Sequence, residues 1–240
     1  MRDAFHEELD SISDQLVEMT LLAGAAVRRA TTALLSSDIH LAEAVIAGDH
    51  ELDALRHHLE ALSITVLARQ QPVATDLRIV VTALRMSSDI ERMGDLARHV
   101  AQVARLRYPD CAVPPSFVPH LREMGQVAER IVAKAGSVIA SKDVTAAVTL
   151  ESDDDAMDEL HRRLFTLILG GDLPTETVVD LTLLGRYYER FADHAVSVAR
   201  RVVYLVTGAY HSDASVDHED QEDAAAAETL RTALSARGDG

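Results

Sequence analysis

An internal repeat constrains this chain more than any other feature of its 240 residues. The stretches "DHELDALRHHLE" (49–60) and "DDAMDELHRRLF" (154–165) share two Asp residues four positions apart and the Leu residues that follow, at an offset of 105. Further along, "IERMGDLARHVA" (90–101) matches "YERFADHAVSVA" (188–199) at an offset of 98. The difference of seven residues is close to two helical turns. We therefore expect two copies of one unit, the second with a hairpin about one turn shorter in each arm.

The spacing of apolar residues within each copy is helical. In "LDSISDQLVEMTLLAGAAV" (9–27), apolar positions recur at intervals of three and four. All six prolines lie at breaks between such segments, and "SSDIHL" and "SKDVTA" place an Asp where a new helix should begin. The sequence predicts an all-α fold with three helices per half, roughly 5–36, 38–69, 75–107, 116–141, 143–170 and 175–207.

The same breaks divide the chain into three regions. The proline-rich segment "YPDCAVPPSFVP" (108–119) is the natural boundary between the halves, so we expect units at 1–108 and 109–208. Residues 209–240 hold eight acids against two arginines and almost no large apolar residues. We interpret this region as an acidic, disordered tail.

Charge and composition exclude several classes of protein. The formal net charge of −16 argues against nucleic-acid binding, which depends on clustered Lys and Arg. The only cysteine, Cys111, excludes an internal disulfide and fits a reducing cytoplasm. The acids in "MRDAFHEELD" do not fit a signal peptide, and no apolar run approaches the ~20 residues of a membrane helix. We expect a cytoplasmic protein without membrane insertion.

Each half carries Asp-x-x-x-Asp on its second helix and Glu-x-x-x-Asp on its third. Residues four apart share a helix face, so each motif presents two carboxylates one turn apart. Asp53 and Glu91 are equally far from Pro72 in sequence, on opposite sides of the turn, and so are Asp49 and Asp95. In an antiparallel hairpin these four acids stand at one height.

The second half repeats this arrangement. The turn there lies near position 172, and Asp158 precedes it by nearly as much as Glu189 follows it. Asp154 and Asp193 are also nearly equidistant from it, so the register matches to within about one helical turn. Four converging carboxylates are strongly unfavourable without a cation. Oxygen ligands favour hard ions such as Mg²⁺, Mn²⁺, Ca²⁺ or iron. The simpler alternative is that the acids are ordinary solvated charges.

Other charged and reactive side chains are weaker candidates for a site. Arg92 and Arg190 could neutralise the acids, but they lie ~100° around the helix from the adjacent Glu and are expected to face outward. The remaining candidates are not repeated or have no base nearby, and we expect surface or packing roles for them: Asp89, His50, His99, His194 and Cys111. The aromatic residues of "RYYERF" (186–191) are expected in the core or an interface.

These motifs together resemble the PhoU family, the regulators of phosphate-specific transport. The resemblance rests on "PVATDLR" (72–78), "DIERMGDLARHVAQVA" (89–104), "YERFADHAVSVARR" (188–201) and the Asp-x-x-x-Asp helices, and it covers residues 3–208. The Ala-rich and Arg-rich style is similar to that of actinobacterial members. The second half departs from the pattern, with "PTETVVDLTLL" (174–184) in place of "PVATDLR".

The resemblance implies a fold, a site and a function. The implied fold is two tandem three-helix bundles. The implied site is a metal cluster at the acids of each half, with Mg, Mn, Fe and Zn all open as the ion; the ligands map onto Asp49, Asp53, Glu91, Asp95, Asp154, Asp158, Glu189 and Asp193. The implied function is not enzymatic. PhoU-like proteins restrain the phosphate ABC transporter and a phosphate-sensing histidine kinase at the membrane, and we expect a homodimer.

Two other functions occur among helical proteins rich in acids, and the sequence argues against the first of them. Di-metal carboxylate oxidases use Glu-x-x-His motifs, and no Glu in this chain has a His three residues later. A helical scaffold without metal stays open, and elemental analysis would distinguish it from a metal-binding regulator.

Overall fold

The computed structural model describes residues 2–209, and this part of the chain consists of six α-helices without a β-strand. Every helix begins and ends close to its predicted bounds. The all-α prediction is therefore confirmed. The predicted acidic tail (209–240) lies outside the described residues, apart from residue 209. The helices are α1 (Arg2–Ser36), α2 (Ile39–Gln70), α3 (Ala74–Arg107), α4 (Val118–Ser141), α5 (Val144–Gly170) and α6 (Thr175–Thr207).

The repeated Asp residues begin the second helix of each half. Asp38 precedes α2, and its carboxylate accepts a hydrogen bond from the Leu41 amide at 3.0 Å. Asp143 precedes α5 and accepts from the amides of Thr145 at 2.8 Å and Ala146 at 3.1 Å. Each cap satisfies amide groups that have no partner within the first turn of a helix.

The helices form two three-helix bundles. Helices α1, α2 and α3 pack against one another, and in the second half α5 and α6 pack against each other and against α4. The bundles meet where α1 packs on α4 and α3 packs on α6, and one continuous hydrophobic core runs through both. This arrangement confirms the predicted architecture. It places the α2/α3 and α5/α6 hairpins, which carry the repeated acids, in separate bundles.

Small residues allow α1 and α4 to approach closely. Thr31 lies against Gly125 and Thr20 against Gly136, so the two helices run antiparallel. A Cβ atom at Gly125 would lie only 2.6 Å from the Thr31 side chain. The repeat offset of 105 aligns Thr31 with Gly136 and Thr20 with Gly125. The two contacts are therefore counterparts across an approximate two-fold axis between the bundles.

Ion pairs hold α3 against α6. The Arg107 guanidinium donates to both carboxylate oxygens of the buried Asp180, at 2.5 and 3.0 Å. Farther along, Arg201 Nε donates to Asp89 at 2.6 Å. Since Arg107 is at the end of α3 and Asp180 is near the start of α6, these helices are also antiparallel. No helix within residues 2–209 combines the length and apolar character needed to cross a membrane.

Candidate functional site

The four acids of the first half lie together on the α2/α3 hairpin, and we call them the first acid cluster (Asp49, Asp53, Glu91 and Asp95). All four side chains are partly buried. Burial is the main cause that raises the pKa of Asp49, and the charges of Asp95 and Asp53 raise it further. Burial also raises the pKa of Glu91, followed by the charge of Asp95. The acids of α2 and α3 are thus close enough to repel one another electrostatically.

Arg98 supplies positive charge to the first acid cluster. Its Nε lies 2.6 Å from Asp49 Oδ2, and its guanidinium also pairs with Asp95. Arg98 therefore ties α2 to α3. Arg92 is largely exposed, as expected, and lies 3.4 Å from Asp95. The repeated motifs do not single out Arg98, although its position three residues after Asp95 puts the two side chains on one helix face.

A surface cavity gives access to the first acid cluster. It has a volume of about 390 Å³ and lies between α1 and α2, where Asp49, His50 and Arg29 contribute to its lining. Asp49 is therefore reachable by small ions from the outside, and its carboxylate already has one cationic partner in Arg98.

The second half gathers Asp154, Asp158, Glu189 and Asp193 on the α5/α6 hairpin, and we call them the second acid cluster. Burial raises the pKa of Asp154 to about 8, and the charges of Asp193 and Asp158 add to the effect. Burial also raises the pKa of Glu189, with the charge of Asp193 as the next cause. Facing acids again act on each other, as in the first acid cluster. The second cluster is the more deeply buried one.

Arg186 is a cationic partner of Glu189. Its guanidinium donates to both Glu189 carboxylate oxygens at 2.8 Å, within α6. The repeat offset of 98 aligns Arg186 with Ser88, and it aligns Arg98 of the first half with the buried Val196. Each acid cluster therefore has an arginine partner, but the two arginines are not at corresponding positions of the repeat. Arg98 connects two helices, whereas the bond from Arg186 to Glu189 stays within one.

The chemistry of both acid clusters fits a hard cation. All eight side chains offer carboxylate oxygens, which are the ligands preferred by Mg²⁺, Mn²⁺ and iron. Asp154 Oδ1 is buried and accepts no hydrogen bond. A cation there would offset both the burial and the repulsion from Asp193 and Asp158 that raise the pKa of Asp154. However, no group of three or more His, Cys, Asp or Glu side chains within residues 2–209 is arranged as it stands to hold a metal ion. Metal binding by the eight acids stays a prediction.

The weaker candidates have structural contacts. Asp89 pairs with Arg201 and lies 3.4 Å from His194 Nδ1, so it joins α3 to α6. The His99 ring packs on Tyr187, with centroids 5.2 Å apart. These residues hold the two bundles together.

The aromatic residues of "RYYERF" lie in the core and at the interface between the bundles, as the sequence predicts. Tyr188 and Phe191 are fully buried. The Tyr188 hydroxyl forms a 2.8 Å hydrogen bond with Thr31 on α1. Tyr188 therefore connects the third helix of the second bundle to the first helix of the first bundle.

Two three-helix bundles with a carboxylate cluster on each hairpin define a class of all-helical repeat proteins. The model of the PhoU domain matches residues 16–104 and 121–202. The chain belongs to the PhoU family. Its members are accessory regulatory proteins of phosphate transport and are not enzymes.

Individual relatives and solved structures agree with this membership. The chain is 47% identical to the phosphate-specific transport system accessory protein PhoU homolog 2 of Mycobacterium tuberculosis, covering 88% of this chain and all of the relative. It is also 47% identical to homolog 1 of Mycobacterium leprae, covering 90% and 98%. The crystal structure of PhoU from Pseudomonas aeruginosa superposes with a TM-score of 0.78 at 28% identity, covering 85% of this chain and all of that one. PhoU from Streptococcus pneumoniae gives a TM-score of 0.78 at 25% identity, covering 86% and 98%.

Proposed function

We propose that this protein is a metal-binding adaptor that restrains the phosphate-specific ABC transporter and its associated sensor kinase when phosphate is plentiful. The observation that carries the proposal is the repeated acid cluster, present on both hairpins of a PhoU-family fold. The relatives named above as phosphate-specific transport system accessory proteins support the transport part of the proposal. The proposed location is the cytoplasm, where an adaptor can reach the inner face of a membrane complex.

The metal part of the proposal follows from electrostatics. Each hairpin gathers four carboxylates, and burial makes the negative charge costly at Asp49, Glu91, Asp154 and Glu189. Bound cations supply the missing charge and link the two helices of each hairpin. A ligand that binds only the folded state stabilises it by mass action, about 2.7 kcal/mol at a hundredfold excess over its dissociation constant. Metal would thus hold both hairpins in one conformation for a partner.

A deletion strain tests the adaptor role. Without this protein, phosphate-responsive genes should stay active in phosphate-rich medium, because the transporter and kinase are no longer restrained. Complementation with the wild-type chain should restore repression, whereas a chain with both acid clusters neutralised should not. A deletion strain with normal repression, in which no second copy of the protein is encoded, would contradict the proposal.

Physical association with the membrane complex needs a separate test. Affinity capture from membranes at high and low phosphate should recover the transporter and the kinase with the tagged protein, in amounts that depend on phosphate. Recovery of neither at either concentration would count against an adaptor. The predicted homodimer can be tested in parallel, by sedimentation of the purified protein.

A regulator without metal is the second candidate. It is favoured by Arg98, which already neutralises part of the first acid cluster, and by the absence of a preformed coordination group within residues 2–209. Elemental analysis of the purified protein distinguishes the two candidates, since only the metal-binding adaptor carries cations through purification.

A further inference from the structure

The cavity between α1 and α2 is bordered by a cationic side chain without an ionic partner. Arg29 of α1 contributes to its lining, together with Gly48 and His50 of α2. Among residues 2–209, no side chain forms a hydrogen bond or an ion pair with the Arg29 guanidinium. The neighbouring Arg28 pairs instead with Glu129 of α4, at 3.5 Å. The function proposed above uses neither Arg29 nor Gly48.

The second half shows which group Arg29 lacks. The repeat offset of 105 aligns Arg29 with Lys134, and it aligns Gly48 with Asp153. Lys134 Nζ donates to the Asp153 carboxylate, so an ion pair joins α4 to α5 at this place. In the first half the cation is kept, but a glycine replaces the carboxylate. A Cβ atom added at Gly48 would meet nothing in another helix within 4 Å, so the space opposite Arg29 is open.

Small residues give this space its size. Four alanines line the cavity: Ala25, Ala26, Ala44 and Ala47. Their counterparts in the second half are all larger: Arg130, Ile131, Thr149 and Ser152. The cavity volume of about 390 Å³ is many times the roughly 30 Å³ that one water molecule occupies in the liquid. A small ligand with a negative charge could therefore lie where the second half has its aspartate.

The acids near the cavity do not exclude an anion. Asp49 lines the cavity, but its carboxylate is paired with Arg98. Glu51 also lines it and is exposed, so solvent and salt screen its charge. The second half holds the Asp153 carboxylate at the corresponding place, beside the more deeply buried acid cluster and opposite Lys134. An anionic group beside an acid cluster is thus already part of this fold.

We propose that this cavity binds inorganic phosphate, with Arg29 as the residue that anchors it. A guanidinium binds the oxygens of phosphate through charge-assisted hydrogen bonds. The acids select phosphate among small anions, because phosphate retains a proton at neutral pH and can donate it in a hydrogen bond to Asp49 or Glu51. Sulfate and acetate have no such proton and can only accept, as carboxylates do.

Bound phosphate would supply the negative charge that Asp153 supplies in the second half, and would link α1 to α2 beside the first acid cluster. This inference rests on the proposed function in one respect, since it names phosphate itself as the ligand through which the regulator responds to phosphate. The position of the site rests only on Arg29, Gly48 and the cavity between them.

The test is calorimetric titration of inorganic phosphate into chelator-treated, dialysed protein at about 0.15 M salt, where charges far apart are screened. Wild type should bind one phosphate per chain. Arg29→Gln should weaken binding at least roughly tenfold, because charge-assisted hydrogen bonds are lost. Gly48→Asp should weaken it as much, since the added carboxylate pairs with Arg29 as Asp153 pairs with Lys134.

Matched controls separate this site from general attraction of anions to basic side chains. Gly48→Ala removes the glycine without adding charge and should bind phosphate like wild type. Arg28→Gln and Lys134→Gln remove cations that already have partners and should also leave binding unchanged. Sulfate and acetate should bind wild type at least roughly tenfold more weakly than phosphate, because neither can donate to the nearby acids. Circular dichroism of every variant confirms that the helices are intact.

Several outcomes would overturn the proposal: no saturable phosphate binding by wild type, or Arg29→Gln or Gly48→Asp variants that bind like wild type. An equal loss in Arg28→Gln or Lys134→Gln, or sulfate that binds as tightly as phosphate, would reduce the effect to general anion attraction and would also overturn it. Because the assay needs neither metal nor a partner protein, its failure leaves the deletion-strain result intact. A deletion strain with normal repression would likewise leave a measured phosphate site standing.

Discussion

Replacing Asp154 by Asn should change how the stability of the metal-free protein depends on pH. Burial raises the pKa of the Asp154 carboxyl from 3.8 to about 8. The folded protein therefore retains a proton that the unfolded chain releases. The stability from this proton is complete below about pH 4 and is lost as pH rises towards 8. Each pH unit in that window costs about 1.4 kcal/mol of unfolding free energy.

Asn is neutral at every pH, so the variant lacks this dependence. Between pH 5 and 7 the wild type should lose about 2.7 kcal/mol from Asp154 alone. For a chain of this size that loss corresponds to a fall of roughly 5–11 °C in the melting midpoint. The pH slope is the quantity to compare, since the buried amide of Asn carries a desolvation cost of its own, about 1–3 kcal/mol if it finds no hydrogen-bond partner.

The assay is thermal unfolding in the presence of a chelator at pH 5, 6, 7 and 8. Asp155→Asn is the matched control, because Asp155 is the next residue of α5 and is exposed. Its pH slope should equal that of the wild type. Equal slopes for wild type and Asp154→Asn, or an equally altered slope for Asp155→Asn, would show that the folded protein does not hold this proton on Asp154.

Three further predictions concern the same two clusters and the interface between the bundles. Adding the cognate metal to fully stripped wild type at a hundredfold excess should raise the melting midpoint by roughly 5–10 °C, and the variant with Glu189→Gln and Asp193→Asn should show only part of this rise. Arg98→Gln should strengthen metal binding at the first acid cluster in a calorimetric titration, because the competing internal cation is removed; unchanged affinity would mean that Arg98 does not occupy the site. Tyr188→Phe should cost about 1 kcal/mol in urea unfolding through loss of the hydrogen bond to Thr31, whereas Tyr187→Phe should cost clearly less.

The sequence predicted the helices and their grouping because the responsible signals are local and repeated. Asp38 and Asp143 mark helix starts by a capping interaction within three residues, and prolines end the segments between them. The antiparallel packing of α1 on α4 was not predicted. It depends on Thr31 meeting Gly125, a contact between positions far apart in the chain, and no periodicity within one helix contains that information.

The candidate site was only partly predictable for the same reason. Counting residues from each turn places the facing acids at one height, because an antiparallel hairpin fixes that register. Arg98 was missed, since its pairing with Asp49 crosses from α3 to α2. The different burial of Asp49 and Asp154 was also unpredictable, because it depends on how neighbouring helices cover each carboxylate.

Metal content per chain decides whether the two acid clusters hold cations. The purified protein is stripped with chelator, reloaded separately with Mg²⁺, Mn²⁺, Zn²⁺ and iron, and weighed by native mass spectrometry. At least one of these ions should occupy both acid clusters. Glu91→Gln with Asp95→Asn should empty the first cluster and leave the second filled. A wild-type chain that retains none of the four ions, or a variant that loses both sites together, would show that the acid clusters are not two separate metal sites.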